Sequence, residues 1–484
     1  MANIPNGDYV VEQSPQPVQS DALQTILSGA PWWLGSLVFH AFILLVFAQI
    51  GWEVGTKTDR IAATDIRPPV EEEEDVEEEP EKPEFEEASI IDPTLPPSDT
   101  IDTPEQEIDQ PDMDVPGFNT LEPDEAPPLA IAKLALGEDG APGHFHGIYG
   151  NRGGSGRKKS ILRRGGSPLA EASVNEALGW LARVQEADGH WDSKKWGGGG
   201  QDVGVSGLAT LAFLGHGETD RDGKYRATVA KALEYLERKC ASNGSFGEQF
   251  YTQGICTMAM SEAYGMTRNP RWGAVAQRAL DYCVANQNPN GGWDYHGNNP
   301  ARVDTSVTAW VVMGVKSGVA SNLRVPEQAL ERIKKWLYES VNPDGSTGYT
   351  KNIGAQGSGG GMSVSGLTAA ASLCRQFMGW KPDAEDLAKS LNYVDRAGVN
   401  LKNVYQVYYG TLCMFQAGGE YWSKWNKQFR DPLIALQVKN RGPELDGSWD
   451  HLDDTLGGHG GRVYTTAMAV FCLEVYYRFL PVLK

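Results

Sequence analysis

The sequence predicts an all-α protein. Its folded part is a closed double ring of about six helical hairpins, an (α/α)6 toroid, preceded by one transmembrane helix and a disordered acidic, proline-rich linker. Three observations predict this. A turn of the Asp/Asn-Gly-x-aromatic kind recurs at roughly fifty-residue intervals through the last two thirds of the chain. Each turn stands between a charged amphipathic helix and a nearly uncharged one. Almost all of the net charge lies in a single stretch ahead of these repeats.

That stretch is decisive for the bulk numbers. The 484 residues carry a formal net charge of −20. Between Glu53 and Gly140 there are 28 Asp and Glu against 5 Lys and Arg. The remainder from Ala141 onward is mildly basic, so the overall acidity describes a linker and not the folded domain. No nucleic-acid partner is expected. The six cysteines include no CxxC pair and sit in apolar runs, so they read as buried free thiols. No metal and no cofactor is expected.

Residues 1–30 are polar and predicted to lack order. Residues 31–52, Pro31 to Trp52, hold no Asp, Glu, Lys or Arg. As a helix this run spans roughly 33 Å, enough to cross a bilayer. Trp32, Trp33 and Trp52 bracket it as interfacial aromatics do. A cleaved signal peptide fits less well, because no basic segment precedes the run. Residues 53–143 form the acidic linker, stiffened by proline and by like-charge repulsion. Residues 144–166 read as a Gly-rich basic linker. There Arg157, Lys158, Lys159, Arg163 and Arg164 are either simply solvated or in touch with anionic lipid or the acidic spacer.

The domain at 167–484 carries the repeat. Its turns lie at Asp188–Trp191, Asn243–Gly247, Asn290–Trp293, Asp344–Tyr349 and Asp446–Trp449, with one copy missing near Asp395 to Asn400. The first helix of each unit places apolar residues at i, i+3, i+4 and i+7, with charges opposite. A sixth such helix is expected around Trp425 to Lys439. The second helices are rich in Ala, Gly, Ser and Thr, which suits burial on every side. A polar helix alternating with an apolar one implies an outer ring facing water and an inner ring lining a barrel. An open α-solenoid is the competing layout, and the apolarity of every second helix argues against it.

The segments ending Gln185 to Trp191 and Gln287 to Trp293 resemble the QW repeats of squalene and hopene cyclases. The resemblance implies the toroid of terpenoid cyclases, protein prenyltransferases and thioester domains, with function in or at the mouth of the barrel. The catalytic signatures of these families do not carry over. Where cyclases place their Asp-x-Asp-Asp-Thr acid, this chain has Val303-Asp304-Thr305-Ser306, so only Asp304 and Thr305 match. The run from Asp450 to Thr455 looks similar but leads into Gly457 and Gly458. Prenyltransferases hold zinc through Asp-x-Cys, and here Ser306 stands in place of the thiolate. Thioester domains carry Cys-Gly-Glu-Gln, and here the run is Phe246-Gly247-Glu248-Gln249.

The expected function is therefore that of a membrane-anchored repeat protein of non-classical or non-catalytic type. It would bind an isoprenoid, another lipid or a protein partner in or on the toroid. The alternative is a divergent cyclase or transferase with Asp304 as its acid. Candidate cavity residues at the inner-helix ends are Gln201, Asp202, Tyr251, Gln253, Asp304, Thr305, Tyr405, Tyr409, Arg462 and Tyr464, with Asp304 and Arg462 free to pair or to grip a headgroup. The membrane segment resembles the anchor of TonB-family energy transducers, through Ser36 and His40 on one helical face ahead of a Pro-rich charged spacer. That resemblance implies a bacterial inner-membrane protein with a periplasmic toroid. It also implies a scaffold coupled to an ExbB–ExbD-like motor. Lys57, Arg60 and Arg67 after the helix lean toward the opposite topology.

Overall fold

The computed structural model describes residues 147–350, 363–451 and 455–479. The membrane segment with Ser36 and His40, and the acidic linker, lie outside them. Among the described residues no helix is long and apolar enough to cross a membrane, and the regular elements are all helical.

A short helix, α1 (Gly154–Arg163), leads into six hairpins. Their first helices are α2 (Pro168–Arg183), α4 (Arg226–Lys239), α6 (Pro270–Ala285), α8 (Glu327–Glu339), α10 (Glu385–Ala397) and α12 (Gly419–Ala435). Their second helices are α3 (Asp202–Gly215), α5 (Phe250–Thr267), α7 (Thr305–Ala320), α9 (Val364–Phe377), α11 (Val404–Ala417) and α13 (Thr455–Leu473), the last interrupted at Gly461. A final turn, α14, covers Val475–Arg478. The second helices pack on one another in order, and α13 returns to α3, so the inner ring is closed. This is the (α/α)6 toroid.

Composition explains the two rings. In α8 only Ala329, Leu330, Ile333, Trp336 and Leu337 are buried, one stripe of an amphipathic helix. In α3 every residue from Val203 to Gly215 is buried. Small residues let inner helices approach closely. A Cβ on Gly254 in α5 would stand 2.7 Å from the backbone of Trp310 and Val311 in α7.

The turns lock five of the six hairpins to the next; between the fifth and sixth, the backbone N–H of Val399 donates to Gln428 at 3.3 Å instead. Gly189, Gly244, Gly291, Gly345 and Gly447 all hold φ between +87° and +103°, where an L side chain is disfavoured. Each presses on a backbone carbonyl of the following outer helix, at Lys231, Arg278, Arg332, Lys389 and, closing the ring, Glu176. The Gln of each QW turn bridges the same junction. The Nε2 of Gln185, Gln287 and Gln437 donates both to the carbonyl of its own turn glycine and to one in the next outer helix, at 2.9–3.1 Å. The backbone N–H of Trp191, Trp293 and Trp449 donates at 3.0 Å to an inner-helix hydroxyl, of Ser206, Thr308 and Thr466. At the second turn Cys240 occupies the Gln position. Gln253 of α5 supplies the bridge instead, donating to Gly244 and Ala279.

Two segments differ from the sequence expectation. The Gly-rich basic stretch is helical from residue 147 and belongs to the toroid. Arg152 is fully buried and pairs with Glu262 at 2.7 Å, and Tyr149 bonds Ser321 at 2.9 Å. Together they close the end of the barrel where the inner helices terminate. Arg157 and Arg164, read above as linker charges, also donate to the carbonyls of His216 and Tyr476 at 2.6 and 2.9 Å. Glycine content hid this, because the anchoring rests on side chains with distant partners and not on periodicity. The last outer helix begins at Gly419, before the expected Trp425, because Gly418 and Gly419 at positive φ reverse the chain directly after α11.

Gly291→Ala introduces a Cβ that overlaps the Arg332 carbonyl and should cost roughly 3 kcal/mol or more in urea unfolding. Gly247→Ala, at φ +81° but with nothing within 4 Å of the new Cβ, should cost only about 1 kcal/mol. Equal losses would contradict the junction as the source of the constraint.

Candidate functional site

A cavity of 680 Å³ opens at the end of the barrel where the inner helices begin. Its apolar wall comes from Val205 and Leu208 of α3, Ile255 of α5 and Trp310 of α7. Phenols of Tyr251 (α5), Tyr405 (α11) and Tyr464 (α13) complete it, with Tyr295 from the loop after α6. Gln201, Glu248, Gln249, His296 and His459 form a polar, exposed rim. An apolar interior with convergent hydroxyls and a wet rim is the usual form of a small-molecule site. Among the described residues no group of three or more His, Cys, Asp or Glu is placed to hold a metal.

Of the residues singled out in the sequence, Gln201, Tyr251, Tyr405 and Tyr464 line this cavity. The others do not, and each has a structural partner or place. Asp202 accepts from the backbone and hydroxyl of Ser193 at 2.9 and 2.8 Å, tying down the preceding loop. Gln253 bridges the second junction. Thr305 donates to the Gly348 carbonyl at 2.7 Å. Tyr409 lies one turn beyond Tyr405, their rings 4.7 Å apart. Arg462 pairs with Asp450 and bonds Ser448, so the expected partnership with Asp304 is not formed.

Asp304 is the N-cap of α7 and fully buried. Its Oδ1 accepts from the backbone N–H of Ser306 and Val307 at 2.9 and 3.0 Å and from the Ser306 hydroxyl at 2.6 Å. Arg302 pairs with Oδ2 at 3.2 Å. Burial raises its pKa above the usual carboxylate value, against these donors. The Ser306 hydroxyl in turn accepts from Tyr251. Asp304 therefore reaches the cavity indirectly, through Ser306 to Tyr251 and through Tyr349 to Tyr295. Trp310, Thr252, Glu248, His296 and His459 line the cavity without having been singled out. His296 sits in the loop after α6 and His459 in the Gly-rich start of α13, ahead of the break at Gly461, where periodicity says nothing.

The closed end of the barrel holds the other concentration of charge. Arg478 pairs with Glu474 at 2.8 Å and approaches Glu262 at 3.4 Å, beside the Arg152–Glu262 pair. His216 bonds Glu171 at 3.2 Å. Burial pushes the Glu474 carboxyl up to about 7, against the opposing field of Arg478 and His216. Burial disfavours charge on His216, but Glu171 and Glu218 outweigh it and hold its pKa above the ordinary value. The cluster is packed shut by Tyr149 and the segment 147–166, so it holds the fold together and presents no reacting surface.

The chain matches no known protein-family profile. It is similar to a drimenyl diphosphate synthase from Streptomyces showdoensis, 27% identical over 192 residues, covering 38% of this chain. The chain spans about a third of the length of that curated relative, 34%. Solved structures similar to it include a type II terpene cyclase from Scytonema with geranylgeranyl dihydroxybenzoate, at 13% identity and TM-score 0.45, covering 67% of this chain and 99% of that one. Another is the cellobiose 2-epimerase of Bacillus thermoamylovorans, at 12% identity and TM-score 0.48, covering 64% and 98%. An α-1,6-mannanase of Salegentibacter stands at 12% identity and TM-score 0.45, covering 64% and 99%.

Because the folded Glu474 binds its proton up to about pH 7 and the unfolded one only to 4.5, its stabilising contribution is complete below pH 4.5 and lost as pH rises to about 7. His216, also raised, acts in the same direction at higher pH. Denaturant unfolding should show stability falling across that interval by on the order of 3 kcal/mol, and Glu474→Gln should flatten the fall. Identical pH slopes for the two proteins would contradict the assignment.

Proposed function

We propose that the toroid binds an isoprenoid or another long-chain lipid in this cavity, on a chain anchored to the membrane by residues 31–52. The observation that carries the proposal is the wall itself. Val205, Leu208, Ile255 and Trp310 offer continuous apolar surface, and Tyr251, Tyr405 and Tyr464 add hydroxyls on the same enclosure. The partial likeness to a drimenyl diphosphate synthase supports a ligand of this class. Organic extracts of the full-length chain, purified from lipid-containing cells, should yield one stoichiometric isoprenoid or lipid by mass spectrometry. A chain that retains none, and takes up none when incubated with linear isoprenoids, contradicts the proposal.

One observation favours a second reading, that of a divergent cyclase or transferase. A buried carboxyl with a raised pKa, Asp304, is hydrogen-bonded through Ser306 to the cavity phenol Tyr251. Under this reading incubation with linear isoprenoids gives a cyclised or transferred product. Asp304→Asn should then abolish it while leaving Tm nearly unchanged, because Asn caps a helix as well as Asp. Undiminished turnover in the variant would rule out Asp304 as the acid.

A further inference from the structure

Resting on the lipid-binding reading, we infer that the ligand carries an uncharged alcohol oxygen at its inner end, and that Tyr405 donates the hydrogen bond that selects it. Tyr405 stands in the first turn of α11, forms part of the cavity wall and is 1% exposed. Its hydroxyl has no hydrogen-bond partner among the described residues. A buried hydroxyl that has given up water without gaining a partner is unfavourable, and native proteins fill nearly all such positions. One left open in a cavity wall is matched by a ligand atom. Burial holds the phenol's pKa well above its usual value, so Tyr405 stays a donor throughout the working pH range.

Tyr251 supplies the complement. Its O–H is committed to the Ser306 hydroxyl, which itself donates to Asp304. The Tyr251 oxygen is left as an acceptor in the same wall. The Tyr405 donor and the Tyr251 oxygen together suit a group that both accepts and donates, which is an alcohol. A ketone or ether uses the donor and leaves the acceptor unmet. Among the described residues the only carboxylate lining the cavity is Glu248, at the exposed rim, and no Lys or Arg lines it. The inner wall therefore offers no cation for an anionic end.

Substitution Tyr405→Phe tests this directly, in the full-length chain reconstituted in lipid nanodiscs. Geranylgeraniol and its deoxygenated hydrocarbon are compared by equilibrium competition with mass-spectrometric readout. The wild type should prefer the alcohol by about tenfold, the worth of one hydrogen bond to a buried donor. The variant should bind the two alike, with hydrocarbon affinity unchanged. Its ligand-free Tm should equal or exceed that of the wild type, since the hydroxyl it loses had no partner. Retained alcohol preference in the variant, no preference in the wild type, or a lower ligand-free Tm would overturn the inference while leaving lipid binding intact. Failure of both probes to bind the wild type would instead overturn the lipid-binding reading itself.

Discussion

A turn glycine pressed against the backbone carbonyl of the neighbouring hairpin is the contact on which this architecture rests. It recurs at Gly189, Gly244, Gly291, Gly345 and Gly447, and the last reaches back to Glu176 in the first hairpin. No side chain fits there, and positive φ favours glycine independently. Two constraints thus select the same residue at the same place. Around it the Gln amide and the inner-helix hydroxyl satisfy the carbonyls and N–H groups that a tight junction would otherwise strand. Because five of the six hairpin boundaries carry this junction, repetition fixes the rotation per unit, and six units return to the start.

Closure then gives the barrel two unlike ends. Where inner helices terminate, Tyr149 and Arg152 are drawn in, and Arg152, Glu262, Glu474 and Arg478 pair with one another in a buried, packed layer. Removing one partner from such a layer is strongly destabilising, although the layer as a whole need not add stability. Where inner helices begin, aromatic rings fill only part of the space, and the cavity remains. Trp310 stacks on Tyr408, with centroids 5.5 Å apart, and Tyr405 packs on Tyr409, so each wall ring is backed by a second one. A sealed end and an open one orient any ligand along the barrel axis.

Much of this was legible in the sequence. The Asp/Asn-Gly-x-aromatic turns reveal the repeat because their chemistry is local, and the charge difference between first and second helices reveals which ring each joins. The site was legible only in part, for a physical reason. Helix beginnings such as Tyr251, Tyr405 and Tyr464 can be ranked by position, but a polar residue at a helix start serves the backbone as readily as a ligand. Asp202, Gln253, Asp304 and Thr305 all serve it: one ties a loop, one bridges a junction, one caps a helix and one bonds a carbonyl. The contribution of residues 147–166 was illegible, because Arg152 is held by tertiary partners far along the chain. Glycine-rich, basic composition ordinarily marks a linker.

The central claim is that the space between Tyr251, Trp310 and Tyr405 is a ligand site and not a packing defect. An experimental density map of the full chain, purified from lipid-containing cells without added lipid, tests it most directly. Elongated density in the cavity, ending within hydrogen-bond distance of the Tyr405 hydroxyl, is the predicted result. A cavity closed by repacked side chains, or filled by discrete waters with Tyr405 bonded to one of them, would contradict it.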